Sequence, residues 1–396
     1  MNVKTEPAPA PTPPPPAEAP PRRVDWGAAA RDLVGNLIPV VISLAVAVVV
    51  GAVVILAVRR NVGDLGDVAN AMWTYGIQNR DSFGFIFSRA TPLIFSGLAA
   101  AIAFRAGLFN IGVEGQYAIG ILTAAAVGAG IHGLPTAIHV PLTLLAGIAG
   151  GMLWAVVPAV LKAYRGANEV ISTIMMNYVA NGVISYVLLK TAFRDNIPGV
   201  QQARSSPLDP SAKVGRMTGL FNDLGFNFRA SVPLTWFFVF ALVAAVIYAV
   251  VVRRTRFGYN LRVLGANPRA AEPSGIRVNR AFLMVMLVSG GFAGLIGLQD
   301  VMGIDGFAKY DYVRGLGFTG IAVALLGRNS AVGIVAAALL FAYLDRAATG
   351  IGLRTEVPKE LVTILQGVII LTIVIAFEVA RRAAARRRLT EVHERA

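Results

Sequence analysis

The polar residues best suited to bind a ligand lie in a glycine-interrupted segment, residues 104–116, between two uncharged runs. Three of the nine residues from 107 to 115 are glycine, which disfavours a continuous helix. An unwound segment leaves backbone groups free to meet a polar substrate, and Asn110, Glu114 and Gln116 add side-chain partners. The alternative is a cytoplasmic turn in which Glu114 is solvated. The spacing alone leaves both interpretations open.

A second polar series recurs at every fourth residue, at Glu169, Thr173, Asn177, Asn181 and Ser185. Each step of four rotates by only about 40° around a helix, so these residues form one slowly winding polar stripe. An acid at the helix start also suits the positive end of the helix dipole, and Glu169 can be such a terminal charge. Amides deep in hydrocarbon usually face protein or a water-filled path. The stripe therefore predicts either a substrate path or interhelical hydrogen bonding without ligand contact.

The third feature is a short capped helix within the loop 253–280. Asn267 can cap it, Pro268 suits its first turn, and Gly275 can end it. A rigid element of this kind can dock a partner, although an ordinary capped loop helix is the simpler interpretation of the residues alone. The residues concerned are Gly265, Asn267, Pro268, Arg269, Ala270, Ala271, Glu272 and Gly275.

Two weaker patterns accompany these three. The glycine pairs 147/151 and 290/294 have the spacing of close helix contacts, which predicts packing. Asp300, Asp305 and Asp311 lack the glycine and terminal glutamate of a calcium-binding loop. We expect this acidic cluster to be solvated in an outer loop.

Composition excludes several chemistries. The chain has no cysteine, and hence no thiolate nucleophile or Cys-type zinc site. Its three histidines are too scattered for a metal cage. None of its six lysines follows a glycine, so it lacks a phosphate-binding loop for ATP. We predict no catalytic residue, no metal site and no cofactor in this chain.

The elements that carry these residues must be membrane helices. Hydrophobic residues make up 56% of the 396 and charged residues 15%, against about 25% charged in soluble proteins. Uncharged runs of 13 or more residues cover 194 positions. The longest, 115–161, must turn back near residues 132–135. We predict an all-α polytopic protein with about ten transmembrane segments, of which 90–104 and 315–327 are short and belong near a substrate path.

The positive charges set the predicted topology. With both termini in the cytoplasm, the inner segments carry a net charge of +11 and the outer loops +3, summing to the +14 of the chain, as the positive-inside rule requires. We expect residues 1–34 to form a disordered Pro/Ala-rich cytoplasmic tail, 35–377 the transmembrane domain with the inner loop 253–280, and 378–396 an Arg-rich cytoplasmic tail. The basic excess indicates topology and contact with anionic lipid, and not nucleic-acid binding.

Three segments in this order, residues 104–116, 168–178 and 265–276, resemble the permease subunit of bacterial ABC importers for nucleosides and simple sugars. The resemblance extends from about residue 91 to 377, and residues 169–177 are most similar to the nucleoside branch. The superfamily also includes branched-chain amino-acid permeases. One departure is Pro273, which stands inside the loop helix and is expected to end it early.

The resemblance implies a subunit of the bacterial inner membrane that imports nucleosides by alternating access. It implies a second permease, identical or related, an extracytoplasmic substrate-binding protein, and a cytoplasmic ATPase that binds ATP and Mg²⁺. The loop helix from Gly265 onward would couple to that ATPase, and the two polar series would line the substrate path. The alternatives are a sugar or branched-chain amino-acid permease and, in another class, an ion-coupled secondary transporter, which needs ionisable residues at mid-membrane.

Overall fold

The computed structural model describes residues 61, 63–191, 193–195, 202–312 and 314–355, and in the flanking segments 41–42, 45–46, 48–57, 363–364, 366–368, 371–372, 375 and 379. The predicted tails, 1–34 and 378–396 apart from Val379, lie outside the described residues. About half of the predicted span at 361–377 does so as well. The predicted disorder of the first tail therefore stays a prediction.

The described chain is helical. Its α-helices are α1 Val48–Ala57, α2 Gly63–Trp73, α3 Ser82–Arg105, α4 Val113–Gly130, α5 Thr136–Arg165, α6 Glu169–Lys190, α7 Thr218–Asp223, α8 Phe237–Arg254, α9 Arg256–Ala266, α10 Pro268–Ala271, α11 Val278–Gly294, α12 Leu316–Leu326 and α13 Ala331–Arg354. Two π-helical segments, Thr74–Gln78 and Gln299–Asp305, and a 3-10 turn at Pro210–Ala212 complete the described elements. Over these residues only isolated β-bridges occur.

Six described helices are long and apolar enough to cross a membrane: Ser82–Arg105, Thr136–Arg165, Glu169–Lys190, Phe237–Arg254, Val278–Asp305 and Ala331–Arg354. Two shorter apolar helices, α1 and α12, accompany them. The predicted all-α polytopic membrane fold is confirmed. The count of ten spans and the side of the termini stay predictions.

The predicted breaks occur where glycine and proline demand them. Between α3 and α4, Gly107 has φ +71°, a left-handed conformation that glycine adopts without steric cost. The long uncharged run turns back between Gly130 and Thr136, where Gly133 has φ +76° and Pro135 precedes α5. Both breaks confirm the prediction.

Helix α3 is the central element. Of its 24 residues 17 are buried, and it contacts α8, α11, α12 and α13. Helices α5 and α11 cross at their glycines: a Cβ added to Gly294 would lie 2.1 Å from the Gly147 carbonyl oxygen, and one on Gly151 would lie 2.2 Å from that of Gly290. This confirms the predicted packing role of the two glycine pairs, because backbones this close leave no room for a side chain.

Helix α12 is a half-helix. Its 11 residues span about 16 Å, roughly half of the 30 Å hydrocarbon layer. It begins midway along α3, where Ser96 donates a hydrogen bond to the Leu316 carbonyl at 2.8 Å. Its far end lies level with the end of α3, since Arg105 donates to the Asn329 carbonyl at 2.7 Å. The short run at 315–327 thus starts near mid-membrane and ends at the predicted cytoplasmic end of the bundle.

Candidate functional site

A buried amide network holds the break between α3 and α4. The Asn110 Nδ2 group donates to Gln116 Oε1 at 2.9 Å and to Ser289 Oγ at 2.8 Å, while Gln116 Nε2 donates back to Asn110 Oδ1 at 3.1 Å. Ser289 in turn donates to the Ala99 carbonyl at 2.7 Å. Asn110 and Gln116 are each 1% exposed. The network therefore ties the break to α11 and α3 inside the bundle.

Glu114 caps the half-helix. Its two carboxylate oxygens accept hydrogen bonds from the backbone N–H groups of Gly315 and Gly317, at 2.7 and 2.8 Å. The first N–H groups of a helix have no partner within the helix, and its N-terminus favours a negative charge. Glu114 is 7% exposed. The alternative of a solvated turn at Glu114 is wrong, because the carboxylate is buried against α12.

Helix α6 places the polar stripe against this break. Asn177 Oδ1 accepts from the Gly115 N–H at 2.8 Å, and its Nδ2 donates to the Ile111 carbonyl at 3.0 Å. Thr173 packs on Gly112, where an added Cβ would lie 3.0 Å from the threonine Cβ. The structure thus brings the two predicted polar segments together, with Thr173 and Asn177 buried between them.

The two ends of the stripe lie apart from that contact. Asn181 is half-buried and accepts from the Tyr312 hydroxyl at 3.2 Å. Glu169, at the other end, forms an ion pair with Lys162 at 2.7 Å, and Asn168 caps the helix. All seven predicted path residues therefore have protein partners in this conformation, as the interhelical alternative describes. Their role in a substrate path stays a prediction.

The loop 253–280 forms two helices, α9 and α10. Asn267 caps α10 by accepting from the Arg269 N–H at 2.9 Å, and Gly275 has φ +78°. The helix ends at Ala271, before Pro273, as the proline predicts. Asn267, Pro268, Arg269, Glu272 and Gly275 are exposed, whereas the side chain of Ala271 is 0% exposed.

The loop is fixed to the end of α3 by glycine. A Cβ on Gly265 would lie 2.3 Å from the Arg105 carbonyl oxygen, and one on Gly107 would lie 3.5 Å from the Gly265 Cα. The loop backbone therefore rests directly on the α3–α4 break that carries Asn110 and Glu114. Because this contact is between backbones, a movement of the loop would also move the break.

A cavity of about 440 Å³ opens beside the start of the half-helix. Its walls come from α3, the π-helical segment Gln299–Asp305, the turn before α12, and α13. Aromatic, charged and amide side chains line it, among them Phe85, Arg89, Gln299, Asp300, Lys309, Arg314 and Phe341. Gly315 and Leu316 line it too, so the cavity reaches from the predicted outer end to the half-helix that Glu114 caps.

The predicted solvated acidic cluster is only partly correct. Asp311 is exposed, whereas Asp300 and Asp305 are half-buried along the cavity, and Asp305 pairs with Lys309 at 2.7 Å. Sequence reasoning missed Gln299, which is 4% exposed and lines the cavity. It ends an uncharged run and resembles the last residue of a span. The π-helix that places it has no sequence signal of its own.

A family model described as the permease component of a branched-chain amino-acid transport system matches residues 82–374. The chain belongs to this permease family. The guanosine ABC transporter permease protein NupP of Bacillus subtilis is 37% identical over 297 residues, 75% of this chain and 82% of the relative. The glucose ABC transporter permease protein TsgB13 of Haloferax volcanii is 34% identical over 84% of this chain and 86% of its own length. No solved structure matches the chain.

A third relative is the nucleoside ABC transporter permease protein NupB of Lactococcus lactis, 32% identical over 78% of this chain and 85% of its own length. Membership of this permease family, together with the apolar helices, makes the chain a multi-pass protein of the plasma membrane. It is a transport component and not an enzyme. The predicted family is confirmed.

Proposed function

We propose that this permease is one membrane subunit of an ATP-driven importer of nucleosides. The observation that carries the proposal is the similarity, over most of the chain, to permeases named for guanosine and nucleoside transport. The structure adds a cavity lined by amide, charged and aromatic side chains, which suit a hydrogen-bonding ring compound. Ligand sites commonly combine apolar and aromatic walls with polar groups that orient the ligand.

The contacts also suggest how ATP hydrolysis elsewhere would move the substrate path. The ATPase would displace α10. The contact between Gly265 and the Arg105 carbonyl would then move the adjacent break. Because Glu114 is hydrogen-bonded to the start of α12, which lines the cavity, the half-helix would move with the break. Alternating access needs such an element with two arrangements, so that binding energy shifts their populations. The path residues Asn110, Gln116 and Asn177 would exchange their present partners during this motion.

The proposed partners have separate surfaces on the chain. Arg269 and Glu272 are exposed on the loop and would meet the ATPase, which carries ATP and Mg²⁺. One face of α6 exposes large side chains, with Met175 at 53%, Tyr178 at 69% and Tyr186 at 64%. We assign this face to a second permease, identical or related. The binding protein would dock at the predicted outer end, and lipid would cover the remaining apolar surface.

A glucose importer is the second candidate, because a permease named for glucose is 34% identical over 84% of this chain. Both substrates are neutral and rich in hydroxyl groups, so the cavity lining alone suits either. An ion-coupled transporter has less support, because the relatives that match most of this chain are named as ABC transporter permease proteins. Glu114, the acid of the break, is engaged in capping α12.

The test is competition uptake. Cells with and without this gene take up labelled guanosine in the presence of excess unlabelled nucleoside, glucose, pentose or branched-chain amino acid. We expect gene-dependent uptake that only nucleosides suppress. Suppression by glucose alone would replace the nucleoside assignment with the sugar one.

The loop assignment has its own test. Charge reversal at Arg269→Glu and Glu272→Lys, both exposed, should abolish co-purification of the ATPase while leaving the permease inserted. Ala271 is unsuitable for this purpose because it is buried. Full uptake and co-purification in the double variant would remove the coupling role.

A further inference from the structure

Two side chains that are adjacent in the chain line the cavity and carry hydrogen-bond acceptors that the described part of the protein leaves unused. Gln299 and Asp300 begin the π-helical segment Gln299–Asp305, and both line the cavity beside the start of α12. π-Helical turns are rare and often occur at functional sites. Half-helices at mid-membrane also surround substrate sites in transporters. Neither feature alone identifies a ligand. The observation that points to one is that an acceptor on each of the two side chains has no hydrogen-bond partner.

The orientation of Gln299 is fixed. Its Nε2 donates to the Ser88 carbonyl at 3.0 Å and to Ser88 Oγ at 3.0 Å, while the Ser88 hydroxyl donates to the Pro233 carbonyl at 2.9 Å. A carbonyl oxygen only accepts, so the amide nitrogen must face Ser88. The Oε1 atom of Gln299 is then left buried with no hydrogen-bond partner. A buried unpaired acceptor is costly and needs an explanation.

Two acids around the cavity have ion-pair partners, and a third does not. Asp305 is paired with Lys309 at 2.7 Å, and Asp345 with Arg89 at 3.3 Å. Asp300 is half-buried and lines the same cavity. Among the residues that the structure describes, it has neither an ion-pair partner nor a hydrogen bond. The charged groups facing it, Arg89 and Lys309, are thus already engaged by other acids.

We infer that Gln299 Oε1 and the Asp300 carboxylate accept hydrogen bonds from the imported substrate, a nucleoside if the proposed function holds. Both groups are acceptors, so the ligand must present two donors. A nucleoside has such pairs in the 2′,3′-diol of the ribose and in the N1–H and amino group of guanine. Oε1 is covered in the present conformation, and the substrate reaches it when the cavity widens during the transport cycle.

The experiment is a substrate-analogue cycle on the importer, purified with its co-purifying partner subunits and reconstituted in liposomes. ATP-driven uptake of guanosine is compared with that of 2′-deoxyguanosine, 3′-deoxyguanosine and inosine, each of which lacks one donor. In the native importer we expect at least one analogue to lose about tenfold in kcat/KM, the size of one hydrogen bond. In Gln299→Met or Asp300→Leu, whichever removes the acceptor for that donor, the penalty should shrink to less than about twofold, because methionine and leucine offer no oxygen acceptor.

Matched controls separate binding from folding. Gln78→Met and Asp223→Leu make the same chemical changes at exposed positions outside the cavity and should keep the native penalties. Equal penalties in the native importer and in both cavity variants would overturn the inference, even if all uptake rates fell together.

The failure of this inference is distinguishable from the failure of the proposed function. If the native importer moves glucose and no nucleoside, the substrate assignment fails. The same cycle with 2-, 3- and 6-deoxyglucose then decides whether Gln299 and Asp300 contact the substrate.

Discussion

Gly265→Ala should uncouple the loop from the substrate path. The new Cβ would lie 2.3 Å from the Arg105 carbonyl oxygen, whereas Cβ atoms keep at least 3.0 Å. Either the loop or the end of α3 must then move by about 0.7 Å, the difference between these distances. The obstacle is backbone and not the end of a flexible side chain, so it cannot rotate away.

The magnitude follows from two opposing effects. Gly265 lies in α9, and alanine in a helix is favoured over glycine by about 1 kcal/mol. Overpacking typically costs about 1–3 kcal/mol. We expect a net loss of about 0–2 kcal/mol in stability and a much larger loss in coupling. The displaced contact is the proposed link between the ATPase and the break.

The assay compares substrate-stimulated ATP hydrolysis and uptake in the reconstituted importer, with the thermal unfolding midpoint as the measure of folding. Gly66→Ala is the matched control, because Gly66 is also helical and a Cβ there meets nothing within 4 Å. Gly265→Ala should hydrolyse ATP at the basal rate but lose stimulation and uptake. If it transports like Gly66→Ala, the contact does not carry the coupling and the reasoning is refuted.

Two further predictions concern stability. Glu114→Gln leaves one of the N–H groups of Gly315 and Gly317 facing an amide NH₂ in place of an oxygen. It should therefore lower the free energy of unfolding by about 1–3 kcal/mol, as measured by chemical denaturation. An unchanged free energy of unfolding would contradict the capping role. Asp209 lies in a loop outside the described spans, and the backbone N–H and the hydroxyl of Ser211 lower its pKa. Its charge therefore stabilises the fold above the unfolded pKa of about 3.9 and ceases to do so as pH falls through the lowered folded pKa. Asp209→Asn should have a lower thermal unfolding midpoint than the native protein at pH 7, and the same midpoint at pH values below that folded pKa. A difference in midpoint that persists at the lower pH would show that the charge is not the cause.

The local structure was predictable because its causes are local. Gly107 and Pro135 interrupt helices through their own backbone geometry, and Asn267 caps a helix that Pro273 prevents from continuing. The uncharged runs likewise indicate the spans by composition alone. The run at 315–327 is predicted to be short for the same reason, and α12 is short. The prediction that 90–104 is also short is wrong: this run belongs to the 24-residue α3, whose first turns contain Arg89 and therefore lie outside the uncharged run.

The partners of the polar side chains were not predictable, because they are distant in the chain. Asn110 meets Ser289 across 179 positions, and Glu114 meets Gly315 across 201. A periodic stripe shows which residues share a helix face but not which helix covers that face. Asp300 follows an uncharged run and looks like the first residue of a loop; only the fold shows that it borders a cavity.

The most direct test of the central claim is uptake by the purified importer in liposomes. This permease, with its co-purifying ATPase, second permease and binding protein, should accumulate labelled guanosine only when ATP is supplied to the side of the ATPase. Vesicles that contain the permease alone should take up none. Guanosine uptake by the permease alone along a proton or sodium gradient, without ATP, would contradict the account.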